Sequence, residues 1–243
     1  MSGPRFHPRN DVPRLIAHRG LSAAAPENTI PAFEAAAAAG FSWVEFDVML
    51  SADGVAMVIH DESLKRTAGA KGRVPETTAA ELQRLDAGSW FAPEFAGARV
   101  PTLAETLQTL ARLGLGANVE IKPAKGHEEA TGRKVAAQLA ADWPPSLPPP
   151  VVSSFSETAL HAAHAANAAH DYAPLFEAIP DDWAAKMQAV GAQALHCSAK
   201  RLTKRRAAEV TASGAAVRCY TVNDEVLANR LKGWGVAGLF SDG

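Results

Sequence analysis

Two carboxylates lie two residues apart in a segment that is otherwise apolar. Glu45 and Asp47 interrupt the run Trp43-Val44-Glu45-Phe46-Asp47-Val48-Met49-Leu50, whose aromatic and β-branched residues predict a core strand. Side chains alternate faces along a strand, so the two carboxylates point the same way. Like charges in a low-dielectric interior are costly unless one takes up a proton or both bind a cation. The pair therefore indicates a function.

Further charged side chains follow the ends of neighbouring predicted strands. The strand at residues 15–17 ends at His18-Arg19-Gly20, and the apolar run at residues 55–60 ends at His60-Asp61. A third strand, residues 117–122, carries Glu120 and Lys122 on one face. In a parallel barrel these ends form one rim. Seven side chains are therefore predicted to converge: His18, Arg19, Glu45, Asp47, His60, Glu120 and Lys122.

The residue types indicate the chemistry. Oxygen ligands alone, from Glu45, Asp47 and Glu120, suit Mg²⁺ or Ca²⁺ better than zinc. Arg19 and Lys122 are suited to an anion, which arginine can bind bidentately. His18 and His60 have the intrinsic pKa for general acid–base catalysis near neutral pH. The set predicts metal-assisted displacement at phosphorus.

Several other residues have two readings. Asp61 either orients the His60 imidazole or starts a turn. Gly20 permits a sharp turn or a close approach to a ligand. The remaining histidines are read as surface or packing residues, with a structural role preferred for His127 and His196.

The elements that must position these side chains alternate along the chain from residue 14 onward. About eight strand–helix alternations in 243 residues favour a parallel α/β fold, and a (β/α)8 TIM barrel over an open doubly wound sheet. The strands are predicted at residues 15–17, 43–50, 55–60, 117–122, 151–155, 172–176, 194–198, 216–222 and 236–241. The helices are predicted at residues 30–40, 102–113, 127–142, 157–169, 182–190, 204–212 and 224–232. Residues 62–100 form one long irregular excursion, and the Pro-rich stretch 144–150 is read as a surface loop within one domain, residues 1–243.

Composition excludes several classes of partner. The net charge of −2 gives no global field that favours nucleic acid or a membrane surface, and no apolar window is long enough to span a bilayer. Residues 1–13 lack the apolar centre of a signal peptide and are read as a disordered lead-in to a cytoplasmic protein. Cys197 and Cys219 are expected to be buried thiols, because nothing indicates an oxidising compartment.

An ordered set of motifs resembles the glycerophosphodiester phosphodiesterase family over nearly the whole chain. The set begins with His18-Arg19-Gly20, Pro26-Glu27-Asn28-Thr29, Glu45-Phe46-Asp47 and His60-Asp61. It continues with Glu81-Leu82, Leu85-Asp86-Ala87-Gly88, Pro101-Thr102-Leu103-Ala104-Glu105, Glu120-Ile121-Lys122, Ser153-Ser154-Phe155, Tyr220-Thr221-Val222-Asn223 and Ser241-Asp242. One departure is Tyr220, where the family more often carries tryptophan.

The resemblance implies a barrel with an insertion, about residues 62–100, between the second strand and its helix. It implies metal ligation by Glu45, Asp47 and Glu120, acid–base catalysis by His18 and His60, and phosphate binding by Arg19 and Lys122. The implied reaction is hydrolysis of diesters such as glycerophosphocholine and glycerophosphoethanolamine to an alcohol and sn-glycerol 3-phosphate. Glu27 could support His18, and Asn28 or Thr29 could cap the first helix.

Two other functions stay open at this point. One is a phospholipase-D-like activity on lysolipids or sphingomyelin, and the other is a catalytically silent protein that binds phosphorylated polyols. The sequence also leaves open the head-group preference, the choice between Mg²⁺ and Ca²⁺, and the oligomeric state.

Overall fold

A computed structural model describes residues 4–243 and contains a closed barrel of eight parallel strands. Their bounds are β1 (Leu15–Ala17), β2 (Trp43–Leu50), β4 (Gly116–Ile121), β5 (Val151–Ser154), β6 (Asp171–Phe176), β7 (Ala194–Ser198), β8 (Ala216–Tyr220) and β9 (Gly238–Ser241). Neighbouring strands pair in that order, and β1 closes the barrel by pairing with both β9 and β2. The predicted (β/α)8 fold is confirmed.

Helices cross between successive barrel strands, as a parallel sheet requires. Their bounds are α1 (Ile30–Ala38), α4 (Leu103–Leu113), α5 (Glu128–Asp142), α6 (Glu157–Ala166), α7 (Trp183–Ala189), α8 (Lys204–Ala212) and α9 (Glu225–Gly233). The start of α4 shows how local side chains fix the residue at which a helix begins. Thr102 accepts a hydrogen bond from the Glu105 backbone N–H, and the Glu105 carboxylate accepts one from the Thr102 backbone N–H. This capping box satisfies two N–H groups that a helix start leaves unpaired.

The long segment between β2 and α4 begins with a ninth strand, β3 (Ala56–Val58), which pairs antiparallel to β2 and lies outside the closed barrel. Residues 62–100 then contain the short helices α2 (Lys65–Ala68) and α3 (Ala79–Leu82) and the 3₁₀ turns Val74–Glu76 and Pro93–Phe95. A small apolar cluster of its own, including Leu64, Val74 and Leu82, buries this segment against Met57 of β3. Helical turns therefore interrupt the irregular chain that the sequence predicts there. That residues 1–243 form a single domain stays a prediction.

The N-terminal segment packs against the barrel from Phe6 onward, so the predicted disorder is wrong for residues 6–13; residues 1–3 lie outside the described residues. Phe6 is buried with its ring centroid 5.9 Å from that of Trp183, and its backbone N–H donates to the Ser213 carbonyl. Arg9 donates to the Pro149 carbonyl at 2.8 Å. Apolar burial and long-range hydrogen bonds offset the ordering entropy of this segment.

Cys197 and Cys219 face each other on β7 and β8 as buried free thiols, with 3.8 Å between their sulfur atoms, as predicted. Among the helices of residues 4–243, none combines the length and apolarity needed to cross a bilayer. The cytoplasmic location stays a prediction.

Candidate active site

Three carboxylates meet at the rim of the barrel. In the β2–β4 pairing Asp47 lies opposite Glu120, and Glu45 lies two residues earlier on the same face of β2. One oxygen atom from each of these three residues lies within 4.8 Å of the other two, and all three side chains are buried. The prediction that Glu45 and Asp47 share one face with Glu120 is therefore confirmed.

Crowding and burial perturb these carboxylates strongly. Burial, together with the negative charges of Asp47 and Glu120, raises the pKa of Glu45 well above its usual range. Burial and Asp47 raise the pKa of Glu120 to about 7. The pKa of Asp47 is lowered to about 2 despite burial, because Lys122 and Arg19 lie beside it. One Glu45 oxygen, Oε1, is buried with no hydrogen-bond partner. Oxygen-only donors with an unpartnered atom fit a hard divalent cation.

Each candidate catalytic histidine is held by an aspartate through Nδ1. His18 Nδ1 lies 2.7 Å from Asp242 Oδ1, and His60 Nδ1 lies 2.5 Å from Asp61 Oδ1. These contacts fix the ring orientation and leave both Nε2 atoms to face other partners. The structure favours the orienting role for Asp61 over that of a turn residue alone.

The two basic side chains lie among the carboxylates. Arg19 donates to Glu27 Oε1 at 2.8 Å, and its buried Nε has no hydrogen-bond partner. The Lys122 ammonium lies 3.3 Å from Glu120 Oε1 and 2.6 Å from His60 Nε2. Both residues therefore face the carboxylate cluster, where an anionic substrate needs positive charge.

The turn after β1 depends on Gly20. This glycine has φ of +76°, and a Cβ atom there would lie 2.7 Å from the Ala32 backbone on α1. Arg19 also has a positive φ, 56°, and its backbone N–H donates to Glu45 Oε2 at 3.0 Å. The left-handed conformation is costly for a residue with a side chain, and this hydrogen bond to Glu45 offsets part of that cost.

Two residues of the second matched motif, whose roles the sequence leaves open, orient the site. Asn28 donates to Asp47 Oδ2 at 2.9 Å and accepts from the Asp47 backbone N–H. Glu27 pairs with Arg19 and Arg66, which rules out the alternative in which Glu27 supports His18, and Asp242 fills that role. Thr29 occupies the N-cap position of α1 but makes no side-chain cap. The sequence pointed to no role for Asp242 or Arg66; Asp242 was visible only as part of the matched pair Ser241-Asp242.

A cavity of about 220 Å³ opens at this rim. Six of the seven predicted residues line it: His18, Arg19, Glu45, His60, Glu120 and Lys122. Asp47, the seventh, is buried beside them. Phe155 and Tyr220 form an aromatic wall, with ring centroids 5.7 Å apart. His196, for which a structural role was preferred, also lines the cavity.

The family model for the glycerophosphoryl diester phosphodiesterase family matches residues 18–243. The chain belongs to this family. A curated glycerophosphodiester phosphodiesterase of Bacillus subtilis is 31% identical over 249 residues, a match that spans 93% of this chain and 82% of that protein. The enzyme class predicted from the motifs is thus confirmed at the level of the family.

Solved structures of other phosphodiesterases resemble this member of the family closely. An Oleispira antarctica phosphodiesterase, solved in complex with the product sn-glycerol 3-phosphate, shares 38% identity and superposes with a TM-score of 0.91. That match covers 95% of this chain and 93% of the other. A glycerophosphodiester phosphodiesterase of Agrobacterium tumefaciens shares 27% identity, with a TM-score of 0.77 and coverage of 95% and 96%.

Proposed function

We propose that this protein hydrolyses glycerophosphodiesters, such as glycerophosphocholine and glycerophosphoethanolamine, to an alcohol and sn-glycerol 3-phosphate. The observation that carries the proposal is one cavity lined by two aspartate-held histidines, two cations and a buried carboxylate cluster. The Oleispira antarctica relative, which binds sn-glycerol 3-phosphate, supports the same product here.

Glu45, Asp47 and Glu120 would hold the divalent cation, Mg²⁺ or Ca²⁺. When bound, the cation supplies Lewis-acid stabilisation of the negative charge on the phosphate oxygens. Arg19 and Lys122 add their positive charges to the same anion, and Arg19 offers its unpartnered Nε–H. The fit rests on donor chemistry and on the unpartnered Glu45 Oε1, because a buried carboxylate oxygen without a partner is costly.

The two histidines divide the proton transfers. Burial lowers the pKa of His60, with Arg19 and Lys122 acting in the same direction, so the neutral imidazole with a basic Nε2 is favoured at neutral pH. His18 Nδ1 lies 2.7 Å from Asp242 Oδ1, and this contact is the main cause that lowers the pKa of the Asp242 carboxyl group to about 2. His60 is therefore the base of the first step and His18 the acid.

The reaction proceeds in two steps. A glycerol hydroxyl attacks phosphorus and gives its proton to His60, while the bond to the alcohol breaks and His18 protonates that leaving oxygen. Water then attacks the cyclic phosphate with the histidine roles reversed, which returns both rings to their starting states. Lys122, which donates to His60 Nε2 at 2.6 Å, transfers its hydrogen bond to the anionic phosphate oxygen when substrate binds.

The test is release of sn-glycerol 3-phosphate from a panel of glycerophosphodiesters by the full chain, with Mg²⁺ or Ca²⁺ added. Activity should disappear with excess EDTA and return when the cation is restored. His60→Ala should be nearly inactive, whereas His161→Ala, which changes an exposed histidine of α6, should retain full activity. No release from any glycerophosphodiester with either cation would overturn the proposal. Turnover of lysophosphatidylcholine but not glycerophosphocholine would instead favour the lysolipid activity.

A further inference from the structure

The cavity has a neutral polar floor, level with Glu45 and one residue layer below Asp47 and Glu120. Asn118 lies opposite Glu45 in the β2–β4 pairing and two residues before Glu120, so its side chain shares their face. His196 enters the same cavity from β7. Asn118 is 2% exposed and His196 is 1% exposed.

Both floor residues carry a buried polar atom without a partner. Asn118 donates through Nδ2 to Ser153 Oγ at 2.9 Å, which leaves its carbonyl Oδ1 unpartnered. The Arg218 guanidinium lies 3.5 Å from His196 Nε2 and donates toward it, so the ring proton sits on Nδ1, which is unpartnered. Buried polar groups are hydrogen-bonded in most proteins, so two orphaned atoms in one cavity point to a ligand.

Each of these two atoms complements a hydroxyl group. Asn118 Oδ1 can only accept a hydrogen bond, and His196 Nδ1–H can only donate one, whereas a hydroxyl both donates and accepts. Burial and Arg218 hold the pKa of His196 well below its usual range, so the ring is neutral near neutral pH. Burial lowers the pKa of Arg218 only to about 10, so a cation lies directly behind His196.

This arrangement decides which end of a diester enters the floor. The trimethylammonium group of choline has no N–H to donate to Asn118, and neither the choline nor the ethanolamine cation can accept a hydrogen bond from His196 Nδ1–H. The mouth of the cavity is more open, with Phe155 43% exposed and Glu177 exposed with a carboxylate. An alcohol of variable size and positive charge fits the mouth, whereas the constant, neutral glycerol fits the floor.

Resting on the proposed function, we propose that Asn118 and His196 bind hydroxyl groups of the glycerol moiety and select diesters that carry glycerol. A site with buried polar groups rejects an analogue that lacks the matching hydroxyl, because those groups are then left unpaired. Asn118 and His196 are thus specificity residues that contribute no proton to the reaction.

The test compares binding of sn-glycerol 3-phosphate and propyl phosphate, which differ only in two hydroxyl groups, by calorimetry on the full chain with Mg²⁺ or Ca²⁺. The wild type should prefer glycerol 3-phosphate by roughly tenfold, the value of about one to two well-made hydrogen bonds. Asn118→Leu and His196→Phe should each reduce the preference to about threefold or less. His196→Gln, which keeps an N–H donor, should recover part of it. Ser154→Ala removes a buried hydroxyl on β5 that donates to the Ile121 carbonyl and accepts from the Ser156 backbone N–H, so it should keep the wild-type ratio.

Using the ratio of two affinities separates recognition from folding, because a misfolded variant loses both ligands. Equal affinities in the wild type, or an unchanged ratio in Asn118→Leu and His196→Phe, would overturn the inference. A second arm measures kcat/KM for glycerophosphocholine and glycerophosphoethanolamine: both should fall by the same factor in the variants, and a loss confined to one head group would overturn the assignment of the floor. If the wild type hydrolysed no diester, only the proposed function would be overturned, because the ratio of the two binding affinities is measured independently of hydrolysis.

Discussion

His18 and Asp242 are 224 residues apart in the chain, yet His18 Nδ1 and Asp242 Oδ1 lie 2.7 Å apart. The contact exists because β1 pairs in parallel with β9, which places the residues that follow both strands at one point of the rim. Ser22 and Asn223 also donate to the Asp242 carboxylate, so its position is fixed from three sides. The contact between His18 and Asp242 therefore forms only because the barrel closes.

Asp242→Asn should lower kcat by roughly 10–100-fold, part of the 10²–10⁴-fold that acid–base catalysis contributes. The amide lacks the negative charge of the carboxylate that holds His18 Nδ1 at 2.7 Å and orients the ring. Steady-state kinetics provide the measurement, with metal affinity as a second readout that should not change. Ser22→Ala is the matched control, since it removes one hydrogen bond to Asp242 and should have a much smaller effect. An Asp242→Asn enzyme with wild-type kcat would rule out this role.

Glu45→Gln should weaken binding of Mg²⁺ or Ca²⁺ by at least about tenfold, because even residues that only support metal ligands are worth 10–100-fold in affinity. His60→Ala should bind the cation almost as the wild type does, while its chemical rate falls by roughly 10²–10⁴-fold. Calorimetric titration of both variants, combined with single-turnover kinetics, tests whether Glu45 binds the cation while His60 acts in the chemical step. Equal loss of the cation in the two variants would contradict it.

Gly20→Ala should destabilise the protein more than Gly40→Ala. Both glycines have a positive φ, +76° and +84°, so alanine costs about 1–2 kcal/mol at either position. At Gly20 the new Cβ also meets the Ala32 backbone at 2.7 Å, whereas nothing lies within 4 Å at Gly40. The excess should be roughly 1–3 kcal/mol, the usual cost of overpacking. Denaturant unfolding measures it, and equal losses would show that α1 moves freely away from the turn.

The buried His196 should make stability depend on pH. Burial and the adjacent Arg218 hold its folded-state pKa well below the unfolded value of about 6.5. Its contribution to stability is therefore complete above pH 6.5 and is lost as the pH falls below it, at about 1.4 kcal/mol per pH unit, because only the unfolded chain binds the proton.

Denaturant unfolding at pH 7.5 and at pH 5 measures this effect. The loss between the two should be smaller for His196→Gln than for the wild type. His161→Gln, which changes an exposed histidine, should keep the wild-type loss. The same loss in all three proteins would show that His196 accepts a proton in the folded state.

Local sequence patterns were enough to predict most of the fold. The bounds of β2 and α8 are those expected from their apolar and helical patterns, because side-chain periodicity reports directly on which face is buried. The Glu45–Asp47 pair could be placed on one face for the same reason. Patterns failed where the structure depends on distant partners, as for Phe6, which is buried against Trp183 by a contact that no local window contains.

By itself, the sequence determined the alternation of strands and helices, the three carboxylates on two strands, and the motifs that place the chain in its family. Only the tertiary structure decided which carboxylate holds which histidine: Asp61 is next to His60 in the chain, whereas Asp242 reaches His18 through the closure of the barrel. It also revealed the unpartnered atoms of Asn118 and His196. Hydrogen-bond satisfaction is a property of atoms brought together from different strands, so it becomes visible only when the barrel is closed.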